Sequence, residues 1–240
     1  MPNSFFKFKQ FTINQSQTAM KVCTDSCIFG AIVAKENINN SIQQTLDIGT
    51  GTGLLTLMLA QLENFNQITA IEIDNAAFLQ AQENFKDSKF YHKISIQNAN
   101  ILNWENHVKY DVIICNPPFY ENELISDDYH KNIAMHSSLL LHEDLLKTAT
   151  QHLHKLGSFW VLLPYSYQEK FISKAAQNQL FCKKKVLLKN TINKPPFRVI
   201  MEFTQDKNVE LHCSELIIKN SQNNYTNQFI ELLQPYYLYL

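Results

Sequence analysis

Arginine is almost missing from this 240-residue chain: Arg198 stands alone against twenty lysines. Glycine is also scarce, with five residues, while asparagine and isoleucine are abundant. Such a skew reads as a compositional bias of the source, and it lowers the weight of any single lysine. An excess of one charge is lacking too. Twenty-one basic and 22 acidic residues leave a formal net charge of −1. Bulk charge therefore gives no sign of a nucleic-acid partner, and any such site has to be a local patch. No apolar run approaches the 18 residues of a membrane span, and the N-terminus has no signal-peptide core. The cysteines (Cys23, Cys27, Cys115, Cys182 and Cys213) are odd in number and irregular in spacing. Cys23 and Cys27 have no second pair at zinc-finger spacing, so they read as thiols in a reducing compartment. The expectation is a cytosolic protein without membrane or metal. What the chain does have is 45% hydrophobic residues, enough for a sizeable core and too many for disorder.

The apolar pattern alternates between two periods. Residues 5–13 (Phe-Phe-Lys-Phe-Lys-Gln-Phe-Thr-Ile) read as a strand or hairpin, and 26–34 as a short helix. Strands are expected at 45–48, 68–73, 94–97, 112–115, 159–163, 186–188, 199–203 and 211–218. Between them, Leu54, Leu55, Met58, Leu59 and Leu62 share one helical face, as do Ala77, Phe78, Ala81 and Phe85. A long helix is expected over 139–156, with Leu141, Leu145, Ala149, Leu153 and Leu156 inward and Gly157 as its C-cap. A last helix is expected over 226–240. Strand–helix alternation implies an α/β fold, a mostly parallel sheet with helices on both faces. One domain over 1–240 is expected: an N-terminal extension (1–34), a core (45–204) and a C-terminal strand and helix (205–240). Residues 120–135 are polar and aperiodic and read as a substrate lid.

Two segments carry chemistry. The first is Asp47-Ile48-Gly49-Thr50-Gly51-Thr52-Gly53, a glycine-rich turn after a strand. In an open α/β sheet, ligands sit beyond the carboxyl ends of the strands. Gly49, Gly51 and Gly53 permit positive φ and close approach of a ligand to the backbone. The spacing G-x-G-x-G misses the G-x-G-x-x-G of a pyrophosphate site. That disfavours NAD and FAD and suits S-adenosylmethionine (SAM), which carries no phosphate. Glu72, 19 residues after Gly53 at the end of the second core strand, is placed to accept from both ribose hydroxyls.

The second segment is Asn116-Pro117-Pro118-Phe119, closing the apolar run Val112–Cys115. The exocyclic amine of adenine is a poor nucleophile because its lone pair is conjugated into the ring. Two acceptors aimed at its two N–H bonds would turn that lone pair toward a methyl donor. Asn116 offers a side-chain carbonyl and Pro117 a backbone carbonyl, while Pro118 stiffens the turn. Phe119 can stack on the base, a contact worth about 1–3 kcal/mol. Oxygen dipoles already in place answer the charge that grows on nitrogen. No general base is needed before transfer, because the methylated amine is acidic and loses its proton to water.

These segments make the chain resemble class I SAM-dependent methyltransferases. More narrowly, it is similar to the bacterial tRNA1(Val) adenine-37 N6-methyltransferase family. The narrower likeness rests on Phe8-Lys9-Gln10-Phe11, Ala19-Met20-Lys21-Val22-Cys23-Thr24-Asp25, Arg198-Val199-Ile200, Asn224-Tyr225-Thr226 and Tyr236-Tyr237-Leu238. The resemblance implies a seven-stranded Rossmann-like sheet with an N-terminal β extension. It also implies that Lys21, Thr24 and Asp25 close over the methionine end of SAM near Asp47 and Gly49. Asn116 would touch the cofactor as well as the amine. Three positions depart from the family pattern. Ser26 stands where Gly is usual after Thr-Asp. Asn100, followed by Ile101, stands where an Asp commonly accepts from the cofactor's adenine. Ala134-Met135 replaces an Ala-Arg pair.

Between residues 183 and 198 lie Lys183, Lys184, Lys185, Lys189, Lys194 and Arg198, with no acid among them. This strip is the candidate contact for tRNA phosphates at the anticodon stem-loop, for a monomeric enzyme. Rival readings are a guanine-N2 methyltransferase of rRNA, another Asn-Pro-Pro-aromatic amine methyltransferase, and a methyltransferase fold kept only to bind RNA. The histidines His130, His136, His142, His152 and His154 lack metal-ligand spacing.

Overall fold

The computed structural model describes residues 3–18, 21–118 and 143–240. The candidate lid 120–135, Phe119, Ala19-Met20, Ala134-Met135, His130, His136, His142 and the start of the helix expected at 139 lie outside the described residues.

A short hairpin, β1 (Phe5–Lys7) and β2 (Thr12–Asn14), leads into α1 (Thr24–Glu36). Then come β3 (Ile42–Ile48), α2 (Leu54–Ala60), β4 (Phe65–Glu72), α3 (Asn75–Lys86), β5 (Ile94–Asn98) and β6 (Tyr110–Cys115). Residues 143–152 are helical (α4). They run into β7 (Leu153–Pro164), α5 (Gln168–Gln177), β8 (Phe181–Thr191), β9 (Arg198–Thr204), β10 (His212–Lys219) and α6 (Asn227–Leu233).

The strands β3 to β10 form one sheet in the order β10-β8-β9-β7-β6-β3-β4-β5. Pairing is parallel from β5 through β7, antiparallel on both sides of β9, and parallel again between β8 and β10. The sheet has eight strands where seven were expected. The strand anticipated near 211–218 does not stand apart from the sheet but pairs along β8. It does so because Leu216 and Ile218 are buried with Phe229 and Leu233 of α6 in one apolar cluster.

Helices cover both faces. Buried side chains of α1, α2, α3 and α6 join β2 in one apolar cluster; those of α4 and α5 form the other. Strands between two such layers are apolar nearly throughout, as in Val112–Cys115, which is wholly buried. α1 is buried along Ser26–Ala34, as expected for a helix apolar on all sides.

Two expected elements differ. The helix assigned to 139–156 is helical only to 152, and Leu153 already faces Tyr110 in the sheet. Leu156, assigned to the core, is 88% exposed. Tyr110 faces Leu153 and Val112 faces Ser158, so β7 bulges in between. Gly157 lies in that bulge and is no helix cap. A Cβ there would meet the Tyr110 carbonyl at 2.8 Å and the Asp111 carbonyl at 2.9 Å. Strand pairing has overridden helical periodicity. The terminal helix likewise stops at Leu233, and the chain turns back so that Tyr237 bridges Phe8.

Gly157→Ala is expected to lower stability by about 1–3 kcal/mol through this backbone collision. An unchanged urea midpoint for the variant would refute the close approach.

Candidate active site

The site is built where the sheet order reverses. β3 lies between β4 and β6, with Ile48 facing Ile71 on one side and Cys115 on the other. The chain leaves β3 at Gly49 and β6 at Asn116, so the two chemistry-bearing segments start from neighbouring strand ends. This is the crevice in which open α/β sheets bind ligands.

The turn is held open by its glycines. Gly49, Gly51 and Gly53 have φ of +69°, +57° and +85°, values that side-chain-bearing residues rarely adopt. Among the described residues, chain neighbours aside, no atom lies within 4 Å of where a Cβ would sit at Gly49 or Gly51, whereas at Gly53 it would strike Phe85 Cε1 at 2.3 Å. The first two glycines therefore border open space, and the third lets α3 close against the turn.

Asp47 is fully buried beneath the turn. Its Oδ2 accepts from the hydroxyls of Thr50 and Thr56, each at 2.7 Å. Its Oδ1 is buried with no partner among the described residues. Burial, countered in part by the two threonines, pushes its pKa up from 3.8 to about 6. Glu72, at the end of β4, accepts from the Gly51 N–H at 2.8 Å through Oε2 and from the Asp74 N–H at 2.9 Å through Oε1. Each oxygen keeps a second lone pair for a hydroxyl. These residues fit a cationic nucleoside such as SAM: open backbone at Gly49 and Gly51, an orphaned carboxylate oxygen for an ammonium, and a fixed carboxylate for a ribose.

Asn116 is half-buried, Pro117 buried and Pro118 exposed. The Asn116 Nδ2 donates to Ser26 Oγ at 2.9 Å. Ser26 belongs to the first turn of α1, so the segment 21–25 lies beside the Asn-Pro-Pro corner. Within that segment Asp25 accepts from Arg198 Nε at 3.0 Å, Lys21 Nζ donates to the Gln15 carbonyl, and Thr24 is exposed. Beyond β5, Asn100 Oδ1 accepts from the Leu102 N–H at 3.0 Å and caps a short turn. That leaves its amide group and the second lone pair of its carbonyl for any ligand. Ile101 is half-buried against the second apolar cluster.

The basic strip does not form a continuous surface. Along β8, Lys184 pairs with Glu36 of α1 on one face of the sheet, and Lys185 with Glu169 of α5 on the other. Lys183 is 3.0 Å from Glu202 and Lys189 is 3.2 Å from Glu215. Arg198 is spent on Asp25. β8 starts at the edge away from Asn116 and ends at Thr191 near it, so Lys183–Lys185 lie at the far end. Lys194, in the turn between β8 and β9, sits at the near edge and is exposed.

Residues not anticipated from sequence complete the site. Gln15 is buried and accepts from the Val22 N–H at 2.8 Å. Asn84 of α3 ties the Asn14 backbone to the Thr52 carbonyl, with each bond at 2.9 Å. Gln15 follows β2 and Asn84 lies on the buried face of α3; both are buried polar side chains satisfied by backbone groups, and no local sequence signal marks them. Among the described residues, no group of three His, Cys, Asp or Glu is placed to hold a metal, and no helix is long and apolar enough to cross a membrane.

A fold with open glycines and carboxylates at its switch point is that of a SAM-dependent methyltransferase, and the chain is one: it belongs to the methyltransferase small domain family, whose model matches residues 23–191. Its curated relatives are more specific. It is 38% identical to the tRNA1(Val) (adenine(37)-N6)-methyltransferase of Dyadobacter fermentans, over 98% of each chain. It is 36% identical to the protein of the same name from Cytophaga hutchinsonii, over 100% of each. The fold is shared with a predicted O-methyltransferase from Agrobacterium tumefaciens, with a TM-score of 0.69 over 88% of this chain and 96% of that one at 15% identity.

Two predictions follow from the turn. Gly51→Ala should cost only its left-handed backbone strain, about 1–2 kcal/mol, yet abolish SAM binding in calorimetry, whereas Gly53→Ala should lose about 1–3 kcal/mol more by overpacking Phe85. Equal stability loss in both would contradict the geometry. For Asp47 the folded pKa lies above the unfolded one, so the fold favours the protonated acid. Stability from this group is complete below about 4 and declines as pH rises through about 6. Asp47→Asn should therefore gain up to roughly 3 kcal/mol at pH 8 and almost nothing at pH 4, while binding SAM more weakly. Melting curves across that pH range test the sign.

Proposed function

We propose that the chain methylates the exocyclic N6 amine of an adenine in tRNA, with adenine 37 of tRNA1(Val) as its target. The observation that carries this reading is the orientation of Asn116. Its NH2 group is occupied by Ser26, so its Oδ1 is the atom presented to a substrate, and an acceptor is what an amine requires. The names of the full-length relatives support adenine in tRNA as the substrate.

On this reading Asn116 Oδ1 and the Pro117 carbonyl accept from the two N–H bonds of the base. The buried, rigid proline step fixes the distance between them, and Phe119 supplies a stacking face. SAM supplies an electrophilic methyl group on sulfur. Asp47, Gly49, Gly51, Gly53 and Glu72 bind the donor, Lys21, Thr24 and Asp25 cover it, and Asn100 with Ile101 flanks its adenine. Holding both partners in line accounts for much of the acceleration. Adenine 37 lies in a loop, where a base can be splayed out at low cost. Lys194 and Lys189, at the near edge of β8, are the better placed of the basic residues to meet the backbone of the anticodon stem-loop. The chain acts as a single-domain monomer in the cytoplasm, with residues 1–34 closing over the donor.

Nucleosides digested from bulk tRNA of a strain lacking this gene should be short of N6-methyladenosine. Complementation with the wild-type gene should restore it, and Asn116→Ala should not, with kcat on unmodified tRNA1(Val) down by about 10²-fold or more. Loss of N2-methylguanosine from rRNA instead, or full turnover by Asn116→Ala, overturns the proposal.

A further inference from the structure

The side chain of Asn116 is held by a hydrogen-bonded chain that runs back along the start of α1. Asp25 in that segment is fixed by Arg198 at 3.0 Å. The sulfur of Cys23 lies 2.9 Å from Ser26 Oγ. A thiol is a weak donor and a hydroxyl a strong one, so that contact is made by the serine hydroxyl donating to sulfur. Ser26 Oγ then has only lone pairs left, and it accepts the Asn116 Nδ2 proton at 2.9 Å. If the carboxamide were flipped, its oxygen would face a hydroxyl with no proton to give.

We infer that Ser26 is a positioning residue: with its own proton turned to Cys23, it forces the Asn116 carboxamide to present oxygen, not nitrogen, to the amine being methylated. The inference rests on the assignment of Asn116 as the amine's acceptor. The chain acts by removing the nonproductive orientation of Asn116. Ser26 is buried, at 5% exposure, so bulk water does not compete for the bond. A carboxamide is symmetric enough in shape to sit either way round, and only its partners decide.

Ser26 offers a clean test because stability and positioning rank its replacements differently. Inside a helix, Ala is more stable than Gly by about 1 kcal/mol. For positioning the order reverses. Gly leaves room for a water that takes over the hydroxyl's bonds, and the methyl of Ala fills that room and bonds nothing. The measurements are single-turnover rates on unmodified tRNA1(Val) transcript, affinity for S-adenosylhomocysteine by calorimetry, and melting temperature. Ser26→Ala should lower the rate about tenfold with donor-product affinity unchanged. Ser26→Gly should fall less although it melts lower, and Cys23→Ser, which preserves the chain, should keep the wild-type rate. A wild-type rate for Ser26→Ala, or rates that follow the melting temperatures, overturns the inference while Asn116→Ala stays inactive. If Asn116→Ala is itself active, the proposed reaction fails first and takes this inference with it.

Discussion

The parallel pairing of β3 with β6 is the constraint on which the site depends. The register sets Ile48 opposite Cys115, so the glycine turn and the Asn-Pro-Pro corner leave the sheet about 5 Å apart. Their separation along the chain is bridged by two strand–helix units, which return on the other side of β3. β4 completes the arrangement: its last residue, Glu72, reaches back to the Gly51 amide. A shift of one residue in either pairing would turn the side chains of that strand to the other face and separate the carboxylates from the backbone they serve. The burial of both sheet faces specifies this register strongly.

The two ends of the chain support the same site. Phe6, Phe8 and Phe11 of the N-terminal hairpin cluster with Tyr237, ring centroids lying 4.6–5.9 Å apart. The Lys9 amide donates to the Tyr236 carbonyl at 2.8 Å. Tyr237 also lies near Cys27 of α1, and burial raises the pKa of both groups, that of Cys27 to about 12. Neither ionises near neutrality, so the contact stays neutral. These terminal residues anchor the start of α1, and with it Asp25 and Ser26, against the core. The narrower family likeness was strongest at the chain ends, and in the fold those ends meet behind the segment that touches Asn116.

Sequence patterns revealed the parts of the site that are local. The glycine spacing, the acid ending the second strand and the Asn-Pro-Pro step each report a backbone need within a few residues, and each lies at a strand end in the fold. Contacts made at long range were not legible. The Lys183–Arg198 strip contains no acid, but alternation along β8 sends its lysines to opposite faces, where Glu36, Glu169 and Glu215 arrive from other elements. The helix expected over 139–156 failed for a related reason: Leu153 satisfies helical and strand periodicity alike, and pairing with Tyr110 decided between them. Ser26 stood out only as a departure from a pattern, because its partner lies 90 residues away.

Charge is distributed in this site according to what each part holds. Asp25 is neutralised by Arg198, so the chain leading to Asn116 orients a dipole without adding net charge beside a neutral amine. Asp47 is treated differently. It is fully buried without a cation, one oxygen has no partner among the described residues, and burial raises its pKa. A fold selected only for stability would not keep such a group, since an unpaired buried carboxylate is costly. The cost is recovered when a ligand brings positive charge, as the ammonium of SAM does. The same feature excludes the commonest alternative for a glycine-rich turn. A dinucleotide would bring its pyrophosphate toward Asp47, where anion meets anion in a low-dielectric pocket. Charge and glycine spacing are independent properties of the turn, and both select a cationic nucleoside.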